Sequence, residues 1–364
     1  MKLLVIPDIH NRIVQAQSIM ESVAHDKCIL LGDYFDNYGD NIYDASNTAA
    51  WLRDVILPNP KIVPLIGNHD VNYFWNFHPQ FRCSGYRDEK YHAIRKEINQ
   101  DHVRQFKFFH IEDNWCFSHA GLTVGLWKSM AMGYDQAADE TRFQFFTRVL
   151  TDWVRKTVED IDLIKNLPLL GIGYERGGSQ QYGGIDWVDW SKFASIQGVN
   201  QIVGHTPHKV PEVHVQFVGG GYKKKYVTDY LKNIASYSGD DVVSLNFALD
   251  THLGHSAVIT DGSVIVYDSL TREPIDHPAN VARAIYEQPL TCSGLEAMKK
   301  EEQRIIDEIF LRADAVGTTV CPETPEEFLA KLDRVEASRL ANEERLRKEN
   351  GEKQWVQIDP KDLV

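Results

Sequence analysis

The chain has 364 residues, 43% hydrophobic and 11% aromatic, enough apolar side chain for one large domain with an appendage. Its 39 basic and 52 acidic residues give a net charge of −13. Such a surface repels nucleic acid at long range and argues against a non-specific nucleic-acid binder, whereas a small phosphorylated substrate stays compatible because bound metal ions reverse the local field. The five cysteines, Cys28, Cys83, Cys116, Cys292 and Cys321, are odd in number, scattered, and form no C-x-x-C pair. They argue against a disulfide framework or a cysteine metal cluster and for a reducing compartment. The apolar run at the N-terminus is too short for a signal peptide, and no stretch approaches the roughly 20 apolar residues of a membrane span. The expectation is a soluble, cytoplasmic protein.

In chain order, Leu3 to Ile6 reads as a strand ending at Pro7, and Ile13 to Ala24 carries apolar residues at helical spacing. Lys27 to Leu31 is a second strand, Asp44 to Ile56 a second helix, and Ile62 to Ile66 a third strand. Strand–helix–strand–helix–strand is a parallel α/β pattern. Asn114 to Ser118 and Gln201 to Val203 are further strands, separated by an elaboration over about 121–200 in which Phe143 to Ile164 is helical. Gly171 to Gly184 and Gly219 to Lys225 read as loops, the lysines Lys223 to Lys225 as a solvated tip. Val242 to Leu249, Ser256 to Thr260 and Ser263 to Tyr267 are strands, the last two joined by a tight Asp261-Gly262 turn. Beyond about 270, Leu295 to Arg312 and Pro325 to Asn350 are rich in Glu, Lys, Arg, Leu and Ala and read as charged, exposed helices. The expected division is a catalytic domain over 1–270 and a helical extension over 271–364.

The polar residues just past each strand carry the chemistry. The first strand leads into Asp8-Ile-His10, the second into Gly32-Asp33-Tyr-Phe-Asp36, the third into Gly67-Asn68-His69-Asp70. The next two lead into His119-Ala-Gly121 and Gly204-His205-Thr-Pro207. In open α/β sheets, sites form at the carboxyl ends of strands, so five polar clusters far apart in sequence can converge. Asp8, Asp33 and Asn68 offer oxygen; His10, His119 and His205 offer imidazole nitrogen; no cysteine is expected to be placed near any of them. A mixed oxygen and imidazole set suits manganese, with iron, zinc or nickel as alternatives. Six ligands exceed what one catalytic ion with an open position needs and match two divalent ions sharing a carboxylate, the arrangement used for in-line displacement at phosphorus. His69, beside Asn68, is then the donor to the leaving oxygen.

These blocks resemble the calcineurin-like metallophosphoesterase superfamily over residues 1 to about 210. Ser118-His119-Ala-Gly-Leu122 and Gly204-His205-Thr-Pro207 look most like its phosphoprotein phosphatase and bacterial dinucleoside tetraphosphatase branch. The resemblance implies a four-layer α/β/β/α sandwich. It implies that Asp8 and His10 hold one metal, that Asp33 bridges, and that Asn68, His119 and His205 hold the other. It implies His69 as general acid or transition-state stabiliser, with Asp36 hydrogen-bonded to it and raising its basicity. His208, in His205-Thr-Pro-His208, is one residue out of step with the second histidine some relatives use, and is a third-rank candidate for metal or substrate.

The branch continues its second block with an arginine that clamps substrate phosphate; here that position is Asn37. Losing a bidentate guanidinium weakens recognition of a dianionic monoester. Arg82, Arg87 and Arg142 are candidate substitutes. The primary expectation is a metal-dependent hydrolase of a phosphomonoester or phosphoanhydride, acting by in-line attack of activated water. A phosphodiesterase acting on nucleic acid or a cyclic nucleotide is the alternative. A silent metal-binding scaffold that recruits a partner through its helical tail is the alternative of another class.

Overall fold

A computed structural model of the chain describes residues 1–75, 79–159, 168–217, 222–226, 242–260 and 263–275. All of these belong to the first of two compact units, Met1–Pro289; the second, Leu290–Val364, lies outside the described residues, as do both expected charged helices.

Three parallel strands, β1 (Lys2–Ile6), β2 (Lys27–Leu30) and β3 (Ile62–Pro64), form the heart of the first sheet. Leu3 to Ile6 are all fully buried, so β1 is an apolar run covered on both faces rather than an alternating one. β10 (His255–Thr260) adds antiparallel to β1, and β11 (Ser263–Asp268) to β10, giving the order β11-β10-β1-β2-β3. Thr260 pairs with Ser263, so the hairpin closes over two residues, although Asp261 and Gly262 lie outside the described residues. The second sheet contains β4 (Phe109–Glu112), β5 (Trp115–Ser118), β6 (Asn200–Val203), β7 (Glu212–Phe217), β8 (Tyr222–Tyr226) and β9 (Val242–Ala248), in the order β4-β5-β6-β9-β7-β8. Its centre, β5-β6-β9, is parallel and its margins are antiparallel. The fold is thus α/β with two mixed sheets.

The sheets share one core. Leu3 and Val5 of β1, Ile29 of β2, Trp115 and Phe117 of β5, Ile202 of β6, and Leu245 and Phe247 of β9 belong to a single buried cluster. The alternate residues, Leu4, Ile6, Cys28 and Leu30, join the core of α1 (Ile13–Ser22) and α2 (Ile42–Trp51) on the other side of the first sheet. On the far side of the second sheet, Trp190 and Phe193 cover Val203 and Ala248. Period-2 alternation sets which residues face which layer.

Several elements differ from the sequence reading. The helix expected over 44–56 starts at Ile42, where Asn41 and Asp44 form a reciprocal cap, and gives way to a π-helical turn over Leu52–Ile56. Of the helix expected from Phe143 to Ile164, α7 covers Arg142–Glu159, and 160–164 lie outside the described residues. The supposed loop at Gly219 to Lys225 contains β8: Lys223, Lys224 and Lys225 pair with Val215, His214 and Val213 of β7. β8 ends its sheet, and lysine is a usual occupant of an edge strand. Four helices escaped the periodicity: α3 (Asn68–Trp75), α4 (Asp88–Glu97), α5 (Gln100–Val103) and α6 (Val124–Ala131). No helix among the described residues is long and apolar enough to cross a membrane.

The ends of β2 and β3 meet backbone to backbone. A Cβ on Gly32, whose φ is +103°, would lie 2.4 Å from the Gly67 nitrogen. Gly39 also has positive φ (+76°) but open space around it. Gly32→Ala should therefore cost about 2–3 kcal/mol, from backbone strain and collision together, and lower Tm by roughly 4–12 °C. Gly39→Ala should cost only the strain. Thermal denaturation of the two variants checks this; equal Tm values would show that the close approach is unimportant.

Candidate metal centre and active site

Each ligand candidate stands just past a strand, on a turn that redirects the chain. His10, Asp33, Asp36 and His205 all have positive φ, between 45° and 68°, uncommon for residues with a side chain. Ordered backbone bonds hold these turns: His10 N donates to Asp33 O (2.7 Å), and His205 N donates to Asp8 Oδ1 (3.0 Å). Asp70 collects three backbone donors, Asp33 N, Tyr34 N and Gly67 N, each at 2.8 Å, and so ties the second strand-end turn to the third. Gly67 and Gly204 leave room for carboxylates: a Cβ there would lie 2.2 Å from Asp33 Oδ1 and 2.1 Å from Asp8 Oδ1.

All six expected ligands come together. Asp8, His10 and Asp33 form one cluster that could hold an ion, and Asp33, His119 and His205 form another, so Asp33 is common to both. Asn68 completes the second: its Oδ1 is 2.9 Å from His119 Nε2 and 2.8 Å from His205 Nδ1. The histidines are aimed. His10 Nδ1 donates to Phe35 O (2.8 Å) and His119 Nδ1 donates to Leu31 O (3.0 Å), which turns both Nε2 atoms inward. The Asn68 amide is oriented from behind, since its Nδ2 donates to Cys83 Sγ (3.1 Å). Cys83, 15 positions further along the chain, thus stands beside a ligand candidate, contrary to the sequence reading.

The donor set fits a cation. His119 Nε2, a lone-pair atom when Nδ1 donates, faces Asn68 Oδ1 at 2.9 Å, Asp33 Oδ2 at 3.3 Å and His205 Nδ1 at 3.1 Å. Acceptors crowded against one another repel unless a positive charge lies among them. Two further buried carboxylates reinforce the need: neither oxygen of Asp186 and only one of Asp250 has a partner among the described residues. Burial, with Asp250 and Asp33 nearby, drives the Asp8 carboxyl well above its ordinary range, a cost that a cation removes. Burial also pushes His205 well down, with His119 and Arg176 adding to the shift, and pushes His10 down despite Asp33. Neutral imidazoles are the ligand form.

His69 is held apart from this set. Its Nδ1 donates to Asp36 Oδ2 (3.0 Å). Burial opposes the imidazolium, but Asp33 and the hydrogen bond and charge of Asp36 outweigh it and raise the pKa. Three contacts missed by the sequence reading fix Asp36 and its neighbour: Tyr73 OH donates to Asp36 Oδ1 (2.7 Å), Lys90 Nζ donates to the same oxygen (2.9 Å), and Lys90 also pairs with Asp40. Lys90 is only 1% exposed. In sequence it is one more lysine in the charged helix α4.

The lower-ranked candidates divide. His208 pairs with Glu212 (3.2 Å) and joins neither cluster. Asn37 and Arg87 line a cleft of about 730 Å³ that also includes His10, His69 and Lys90. Arg82 pairs with Asp88 and stacks over Tyr86, and Arg142 begins α7; neither lines this cleft.

The calcineurin-like phosphoesterase family matches residues 1–209, more than half of the chain, and the chain belongs to that family. It is a metallophosphoesterase-family hydrolase with a buried Asp/His metal site. No curated protein matches it in sequence. Among solved structures it is similar to a mutant cold-active protein tyrosine phosphatase (12% identity, TM-score 0.35, covering 74% of this chain and 78% of the other). It is also similar to a metallophosphoesterase from Sphaerobacter thermophilus (14%, 0.31, 71% and 83%) and to Yfce, a phosphoesterase from E. coli (11%, 0.32, 76% and 98%).

Metal should stabilise this centre. At a free concentration of about 100 Kd, Mn²⁺ adds roughly 2.7 kcal/mol, a rise in Tm of roughly 5–11 °C that chelator reverses. Asp33→Asn should lower bound metal towards zero, because both clusters lose a shared charge. Elemental analysis of the purified variant checks this; two retained ions would rule out Asp33 as the common ligand.

Proposed function

We propose that the chain hydrolyses a phosphomonoester or phosphoanhydride with two divalent ions. Asp8 and His10 would hold one ion, Asn68, His119 and His205 the other, and Asp33 both. The observation that carries this reading is the pairing of a crowded acceptor set around Asp33 with a separate imidazole, His69, that joins neither cluster. The ions, when bound, supply positive charge that activates water and offsets charge on the phosphoryl oxygens. Manganese, iron, zinc and nickel all suit the ligands.

The chain's own groups do the rest. His69, with Nδ1 tied to Asp36, keeps Nε2 for substrate and holds a proton for the leaving oxygen. Asp36 favours the protonated ring and fixes its plane. Lys90 and Tyr73 are positioning residues that lock the Asp36 carboxylate. We also read the two stacked sheets with their outer cover as the α/β/β/α sandwich, and 1–270 and 271–364 as catalytic domain and extension; the shared inter-sheet core and the shift to charged composition support these. Asn37, where the phosphoprotein phosphatase branch carries arginine, keeps a diesterase as the second reading.

With Mn²⁺, the protein should hydrolyse p-nitrophenyl phosphate, and faster than bis-p-nitrophenyl phosphate. The opposite preference would favour the diesterase, and no turnover of either with any divalent metal would remove the proposal. His69→Ala should reduce kcat by about 10²-fold or more with metal content kept. Lys90→Met should lower kcat more than it changes KM, and more for phenyl phosphate than for p-nitrophenyl phosphate, whose leaving group needs less help. An equal loss on both would mark Lys90 as merely structural.

A further inference from the structure

His69 and His10 stand on the wall of the cleft that also contains Asn37 and Arg87, their rings edge to face with centroids 5.2 Å apart. A leaving group protonated by His69 departs into this cleft. Three cations line it: Lys90, Arg87 and Arg12. Lys90 is consumed by Asp36, Asp40 and the Gly85 carbonyl. Arg87 donates to Asp40 O (2.6 Å) and lies 3.6 Å from its carboxylate, with half of its side chain exposed. Arg12 differs from both. Its Nη1 donates to the backbone carbonyl of His252 (2.8 Å), another residue of the cleft lining, and among the described residues no carboxylate pairs with it. A half-buried guanidinium placed by a carbonyl, with no carboxylate partner among the described residues and two residues beyond a candidate ligand histidine, is suited to an incoming anion. Tyr38 and Tyr86 border the same cleft and offer apolar surface beyond the charges.

Resting on the phosphoesterase reading, we propose that this cleft takes an anionic leaving group, so that the substrate class is a phosphoanhydride such as an inorganic or nucleoside polyphosphate, with Arg12 contacting the departing phosphate. In that reaction the water oxygen bonds to phosphorus while the P–O bond to the bridge oxygen breaks. The bridge oxygen leaves with the outer phosphate, and His69 is the proton source. Arg12 does not take the place of the arginine missing at position 37 on the transferred group; it reads the charge on the other side of the scissile bond.

The test uses the metal-loaded full chain with tripolyphosphate and p-nitrophenyl phosphate as substrates and non-hydrolysable imidodiphosphate as a calorimetric probe. Arg12→Gln keeps an N–H for the His252 carbonyl, so the connection it anchors stays tied. Relative to its effect on p-nitrophenyl phosphate, it should reduce kcat/KM for tripolyphosphate by about tenfold or more, mainly through KM. It should weaken imidodiphosphate binding by a similar factor, and Arg12→Lys should recover part of both. Equal losses on the two substrates, or unchanged imidodiphosphate affinity, overturn the proposal. If the wild-type protein hydrolyses p-nitrophenyl phosphate but neither cleaves tripolyphosphate nor binds imidodiphosphate, this inference falls while the phosphoesterase reading stands. Absence of turnover on every substrate removes both.

Discussion

Acceptor atoms with no proton to share cannot be packed together in a dry interior unless something positive joins them. Asn68 Oδ1, Asp33 Oδ2 and His119 Nε2 are packed in that way, and Asp8, Asp186 and Asp250 bury further carboxylates in the same chain. The surrounding structure is organised to enforce this crowding. Gly32 and Gly67 let two strand ends touch, Gly204 makes room for Asp8, and Asp70 staples two of the turns with three hydrogen bonds. The left-handed turns at His10, Asp33, Asp36 and His205 cost about 1–3 kcal/mol each in strained cases, and the shared inter-sheet core offsets that cost.

The electrostatics divide the histidines by role. Burial lowers His10 and His205, favouring the neutral form a ligand needs, whereas Asp33 and Asp36 raise His69 and favour its protonated form. One pocket thus biases its imidazoles in opposite directions, and the Asp36 carboxylate, which among these rings meets His69 alone, is what sets it apart. The Nδ1 bonds make the division geometric as well: backbone carbonyls aim His10 and His119, and a carboxylate aims His69.

Much of this was legible in the sequence because strand-end motifs announce themselves. Each of the first three strands is a short apolar run stopped by proline or glycine, and the polar residues just beyond are of ligand type. The parallel core and the six ligand candidates can be read from that pattern, while the Asp36–His69 pair comes from the family resemblance. The features that stayed hidden depend on tertiary contact. Lys90 sits in the charged stretch Asp88-Glu-Lys-Tyr-His92, which gives no helical signal, yet its ammonium is buried against Asp36 and Asp40. Cys83 meets Asn68 across 15 positions, and Arg12 finds its carbonyl 240 residues away. The lysines of β8 resembled a loop tip because charge and an edge strand are alike in sequence.

The contacts that assemble the centre also span the chain: His205 N reaches Asp8 across 197 positions, His205 Nδ1 meets Asn68 across 137, and His119 meets Leu31 across 88. Closing loops of that length is entropically uphill until the sheets between them have formed. Competence to bind ions therefore arises late in folding, after β9 and β10 have docked beside β1 and β6, and no early fragment of the nascent chain offers both clusters. Ion capture at both clusters therefore waits on His205, and a chain stalled midway through synthesis carries every other candidate ligand but not that one.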